Sequence, residues 1–243
     1  MTTKTLTLRG LTMACAVAAL FAIKPAAADN LRYDGLWYVN PDSVQIYATD
    51  GPDYSEFVYS GAFRMTDTSG PTLPAGTSFM AWCIDIRDSI QSALYSLVKA
   101  TDYTPTANVP LDPTKITALE RLASNNLSLV TNAQTSSAFQ LAAWEIINES
   151  SGTFNVSMNN GTFYASAGEY GATTLANSWL SNLGTADPSM QMSVWRADVN
   201  ASTQDLAVFN VSPIPEPETY AMLLAGLGLM GFVIRRRRRN QAV

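Results

Sequence analysis

Two short stretches carry the residue types best suited to covalent chemistry. One is a thiol in Ala81-Trp82-Cys83-Ile84-Asp85-Ile86; the other is a carboxamide in Ser136-Ser137-Ala138-Phe139-Gln140-Leu141-Ala142-Ala143-Trp144-Glu145. If the first is a strand, alternation puts Cys83 and Asp85 on one face and Trp82, Ile84 and Ile86 on the other. If the second is a helix, Gln140, Trp144 and Ile147 fall on one stripe, with Phe139, Ala143 and Ile146 beside it. A thiol is a nucleophile and a carboxamide carbon is an electrophile, but each has a bland alternative. Free cysteine packs as a small hydrophobe, and Ser137-x-x-Gln140 fits a capping box in which the amide reaches back to the Ser137 N–H. Asp85 and Asp88 form a carboxylate pair of the kind used in acid–base hydrolysis, although eighteen acids between residues 29 and 214 make such pairs common. The chain has no histidine, which excludes Ser-His-Asp and Cys-His catalysis and most zinc sites. No Asp-x-Asp-x-Asp-Gly loop is present for calcium, so neither metal nor cofactor is expected.

The elements that must position these residues read as a mixture of strands and helices without a repeat. Asp34 to Ala48 and Ser55 to Asp67 alternate aromatic or β-branched residues with polar ones, bounded by turn sequences at 50–52 and 69–71, and predict antiparallel strands. Thr77 to Ile86 predicts a third, more apolar and central strand. Ser89 to Ala100 fits strand or helix. Pro113 to Val130 and Ser136 to Glu149 have helical periodicity. A loop follows from Asn155 to Gly171 with a short strand at Thr162 to Ala165, then a helix at Thr173 to Leu183. Met190 to Asp198 and Gln204 to Ser212 close the domain as a strand pair. The order predicts an α+β fold, an antiparallel sheet or sandwich with a helical insert, over residues 29–212.

Both ends of the chain read differently from this body. Lys4 and Arg9, the apolar run Leu11 to Ile23 and the small residues Ala26-Ala27-Ala28 form a signal-peptide pattern over residues 1–28, with cleavage between Ala28 and Asp29 by signal peptidase after Sec export. Cys15 lies inside that segment, which leaves Cys83 as the single cysteine of the processed protein and rules out an internal disulfide. Residues 29–214 hold eighteen acids against seven bases, a formal −11. Such a surface repels nucleic acid.

At the far end, Pro215-Glu216-Pro217 is followed by an uncharged run from Thr219 to Ile234 and then by Arg235, Arg236, Arg237, Arg238 and Arg239. As a helix the run would span roughly 24 Å, enough to cross a bilayer with local thinning, and the arginines would hold its end in the cytoplasm. Gly226-Leu-Gly228-Leu-Met-Gly231 matches a dinucleotide fingerprint by letter but lacks its strand, its following helix and its acidic residue. Together the three parts, over residues 213–239, resemble the PEP-CTERM sorting signal of exported bacterial proteins; residues 240–243 form a short tail. The resemblance implies an exosortase as partner, an inner-membrane anchor before processing, and an envelope or secreted destination afterwards. Pro215, Glu216 and Pro217 would then be recognised by that partner.

The Cys83 and Gln140 segments resemble the thioester domains of bacterial surface adhesins, which carry an aromatic-Cys-aliphatic strand and a helical Gln-x-Ala-aliphatic-Trp-like stretch. Trp82-Cys83-Ile84 and Gln140-Leu141-Ala142-Ala143-Trp144 match by position, with Ala143 in place of a larger aliphatic residue. The resemblance implies a Cys83–Gln140 thioester that captures a surface amine or hydroxyl once, without being an enzyme. Trp82, Phe139 and Trp144 would exclude water from it, and Asp85 or Glu145 would orient or deprotonate the nucleophile. The competing reading is a non-covalent envelope or biofilm-matrix protein, structural or binding polysaccharide through aromatics such as Trp37, Tyr38, Trp179 and Trp195.

Overall fold

In the computed structural model, the described residues are 28–49, 53–104, 111–150, 152–198, 201–209, 226–227 and 230. In chain order they form β1 (Asp29–Leu36), β2 (Asp42–Ala48), β3 (Tyr54–Ser60), β4 (Phe63–Asp67), β5 (Ser78–Cys83), β6 (Ala93–Lys99), α1 (Pro113–Asn126), α2 (Ala133–Asn148), β7 (Phe163–Ala165), α3 (Ala172–Leu180), β8 (Met192–Ala197) and β9 (Leu206–Phe209). Six strands close into a barrel in the order β1-β4-β5-β9-β8-β6, every pair antiparallel, with β6 returning to β1. The remaining three make a separate antiparallel sheet, β3-β2-β7. The helices lie in the insert between β6 and β8, and the fold is α+β.

The strand expectations are corrected at two places. Residues 34–48 form parts of two strands in different sheets, as do residues 55–67. The second break falls at Gly61, whose φ of +151° favours glycine; a Cβ there would lie 3.2 Å from Ser136 Oγ. The chain thus leaves the small sheet and enters the barrel at a point where α2 sits against its backbone. Residues 93–99 resolve the ambiguous segment as strand. The expected central strand ends at Cys83, three residues short of Ile86.

α1 begins with Asp112 accepting the Thr114 N–H at 2.7 Å and Pro113 at its first turn, where a missing N–H has no penalty. α2 is buried on all sides from Ser136 to Ile146, which accounts for its nearly continuous apolar sequence. Its two serines face the strand crossing. Ser136 Oγ accepts the Ala62 N–H (2.9 Å), while Ser137 Oγ accepts the Asp42 N–H (3.1 Å) and donates to the Ser60 carbonyl (2.6 Å). These bonds satisfy main-chain groups that the gap between β3 and β4 would leave orphaned in a dry interior. They also set the depth and rotation of α2.

Among the described residues no helix is long and apolar enough to cross a membrane. The expected signal peptide lies outside them, apart from Ala28. Of the expected membrane helix only residues 226–227 and 230 are described, and these are helical. Replacing Ser137 by alanine should strand the Asp42 N–H and the Ser60 carbonyl and destabilise the domain by about 1–3 kcal/mol in urea denaturation. Thr117→Ala, at an exposed position of α1 where the hydroxyl bonds the Pro113 carbonyl of its own helix, should change it by less than about 0.5 kcal/mol.

Candidate functional site

Cys83 ends β5, where Trp82 pairs with Ala207 and Cys83 with Leu206 of β9. One turn beyond Ser136 and Ser137, α2 brings Gln140 to the same place. The carboxamide of Gln140 engages both main-chain groups of Cys83: Oε1 accepts the Cys83 N–H at 3.0 Å, and Nε2 donates to the Cys83 carbonyl at 2.9 Å. Both residues are fully buried. The capping-box expectation for Ser137 and Gln140 is therefore corrected. The box belongs to Asn132 and Thr135, one turn earlier, and Gln140 turns away from its own helix to serve another element.

The Cys83 thiol donates to the Asp85 carbonyl at 3.0 Å. Burial pushes its pKa up to about 12; the Trp144 indole N–H and the Asp85 contact pull it down, while the charges of Asp85 and Asp205 add to the rise. The Trp144 N–H meets no acceptor in hydrogen-bond geometry, yet it is close enough to favour negative charge on sulfur. Trp82 and Phe139 pack with ring centroids 4.3 Å apart, and Phe139 meets Phe209 edge-on at 5.8 Å. The pair thus sits behind aromatic rings in a dry interior.

The two carboxylates expected near the pair are placed differently. Asp85, beyond the strand end, is half-buried; its side chain accepts the Arg87 N–H at 3.0 Å, and burial raises its pKa. Glu145 is held elsewhere: Oε1 accepts the Asn155 N–H at 2.6 Å, while Oε2 is buried without a partner. Burial, with a smaller contribution from Glu149, pushes its pKa up to about 8. Asp88 is exposed. Two groups that the sequence did not suggest stand close by. Asp205 accepts the Tyr103 hydroxyl and the Ala197 N–H, both at 2.7 Å. Tyr54 of β3, whose hydroxyl donates to Glu56 at 2.6 Å, lines, with Tyr33, Ile86, Trp144 and Gln204, a cleft of about 260 Å³. Neither could have been found by spacing, because β3 and β9 reach the site only through tertiary packing.

Ala28 is exposed, and Asp29, the first residue of β1, is buried opposite Tyr95. Pro215, Glu216, Pro217 and the arginines 235–239 lie outside the described residues. Among the described residues no cluster of three potential metal ligands occurs.

Residues 213–239 match the PEP-CTERM protein-sorting motif. The motif implies an exported surface protein. It is also the recognition signal of exosortase, which supports that partner. No curated protein sequence matches the chain. Among solved structures, the chain is similar to the N-terminal thioester domain of a Clostridium perfringens surface protein (13% identity, 69% of this chain and 98% of that one, TM-score 0.43). It is also similar to the N-terminal domain of the Streptococcus pyogenes pilus tip adhesin Cpa (13%, 69% and 93%, 0.40). A third is the N-terminal thioester domain of a protein F2-like fibronectin-binding protein of Streptococcus pneumoniae (11%, 73% and 97%, 0.38). At these identities and scores the likeness is distant and carries no chemistry to this chain.

The position of Glu145 has a consequence for stability. Between about pH 4.5 and 8 the native protein keeps a proton on Glu145 that the unfolded chain releases, so this group's contribution falls as pH rises through that window. Urea denaturation should show the protein less stable at pH 8.5 than at pH 6, by an amount on the order of a few kcal/mol. In Glu145→Gln, which keeps an acceptor for the Asn155 N–H, most of that difference should disappear.

Proposed function

We propose that this exported surface protein forms an internal thioester between Cys83 and Gln140 and uses it to bind a surface target covalently. The observation that carries the reading is the two-point hold of the Gln140 carboxamide on the Cys83 main chain, in a buried aromatic site. In the first step the sulfur bonds to Gln140 Cδ and the Cδ–Nε2 bond breaks. The thiol proton travels to Nε2, which leaves as ammonia. Negative charge developing on Oε1 is met by the Cys83 N–H already aimed at it, the arrangement of an oxyanion hole. The Trp144 N–H stabilises charge on sulfur. A thiol held near pKa 12 is mostly protonated at neutral pH, so bond formation is slow and depends on this preorganisation.

Departure of Nε2 frees the Cys83 carbonyl to accept an N–H or O–H from an incoming amine or hydroxyl. That nucleophile attacks Cδ, the Cδ–Sγ bond breaks, and sulfur recovers a proton. The protein is then joined to its target by an amide or ester and the site is spent: a trap that acts once. Trp82, Phe139 and Trp144 protect the bond by excluding water.

A second reading rests on the same contact. Oε1 and Nε2 each already have a partner, so the carboxamide can serve as a permanent bridge between α2 and β5 in a non-covalent envelope protein. Mass separates the two readings. Wild-type protein and Cys83→Ala, recovered from the same cells so that end processing cancels, should differ by the substitution and by one further ammonia missing from the wild type. Gln140→Glu should show no such loss, and methylamine should add its own mass to wild type alone. A wild type at full mass, with a thiol that alkylates on denaturation, would leave only the structural bridge.

A further inference from the structure

The sheet β3-β2-β7 has two faces. Its inner side, with Val44, Ile46 and Ala48, packs under α2. Its outer side follows from the register. Gln45 stands opposite Phe57, Tyr47 opposite Ser55, and Tyr47 again opposite Tyr164, so these residues share one surface. Tyr59 joins them two positions along β3 from Phe57. Phe57 is 71% exposed and Tyr59 66%, while Tyr47 and Tyr164 stack at 4.8 Å with an interplanar angle of 20°. Between the rings, the Gln45 side chain donates to Ser55 Oγ at 2.8 Å. Two exposed rings beside a half-buried stacked pair, with amide and hydroxyl groups among them, need an explanation, because large rings exposed together have no folding advantage.

We infer that this face is a binding platform for a neutral polysaccharide. None of these six residues is charged, in a region of formal charge −11; acidic polymers are repelled by the surroundings, and a cationic partner finds no carboxylate among the rings. A second copy of the chain is the poorer occupant. A stable protein interface takes roughly 20–30 residues a side, and this face offers a strip of three short strands. Sugar rings suit it physically. Their C–H faces lie against the electron-rich faces of aromatic rings, and their hydroxyls meet the tyrosine hydroxyls and the Gln45 amide. Successive side chains on one face of a strand are about 7 Å apart, so Phe57 and Tyr59 present two neighbouring contacts along an extended chain. The platform does not involve Cys83 and stands or falls independently of the thioester. Of the aromatics that the sequence suggested for this role, Trp179 and Trp195 are buried, the Tyr38 hydroxyl is bonded to the Val130 carbonyl, and half-buried Trp37 has the Arg64 guanidinium 5.2 Å over its ring.

The test uses the exported protein carrying Cys83→Ala, so that covalent capture cannot contribute. Its binding to amorphous cellulose, dextran and galactomannan, with alginate as an acidic control, is measured by depletion and affinity electrophoresis. At least one neutral polymer should bind reversibly and with little dependence on salt. Phe57→Ala/Tyr59→Ala should weaken that binding at least about tenfold, with an unchanged far-UV spectrum and melting midpoint. Leu94→Ala, which removes an exposed apolar side chain from barrel strand β6, should leave it intact. No retention on any neutral polymer, equal retention of the double variant, or a concentration-dependent dimer abolished by the double variant would each overturn the proposal.

Discussion

Everything around Cys83 depends on one side chain being amphoteric in its hydrogen bonding. The end of β5 leaves the N–H and C=O of Cys83 directed at α2, in a place that no water reaches. Only a group with a donor and an acceptor on adjacent atoms can satisfy both at once, and the Gln140 carboxamide does so at 3.0 and 2.9 Å. An apolar residue there would orphan two buried main-chain groups, each worth about 1–3 kcal/mol. The bridge that secures the helix to the barrel also lays an electrophilic carbon beside the residue that carries the thiol. Structure and proposed reactivity are properties of the same few atoms.

The rest of α2 explains why that carboxamide arrives in register. Ser136 and Ser137 pin the first turn to the crossing between β3 and β4, and helical geometry then delivers position 140 to the barrel and 144 beside the sulfur. A helix held by side-chain bonds at its start and by an amide at its middle has little freedom to rotate. Phe139 and Trp144 fill the space on either side. Burial has an opposing effect on the charged groups. It raises the thiol and the carboxyls of Asp85, Asp205 and Glu145 together, so the site favours neutral forms and depends on oriented N–H dipoles where charge develops.

The local content of this arrangement was legible in the sequence. Helical periodicity places α1, α2 and α3 to within a few residues, and strand alternation marks most of β2, β5 and β8. The odd thiol and the lone amide among apolar residues single themselves out by type. Long-range pairing was not legible. Closure of β6 onto β1 and the pairing of β5 with β9 join segments far apart in the chain, with no local signature. Gly61 divides one apparent strand into two because its neighbour is α2, a tertiary fact. Glu145 looks like a site residue by proximity to Gln140 in sequence, yet five helix positions turn it about 140° away from Gln140, and its carboxylate reaches Asn155 instead. The aromatic face of the small sheet was not singled out, because alternation alone does not say which face of a strand is buried when the register is unknown.

A crystal structure of the freshly exported protein, refined at a resolution that separates bonded from non-bonded atoms, tests the central claim most directly. The account predicts continuous density from Cys83 Sγ to Gln140 Cδ, with Oε1 still on the Cys83 N–H and no density for Nε2. An intact carboxamide bonded to both main-chain groups of Cys83, beside a free thiol, would contradict it.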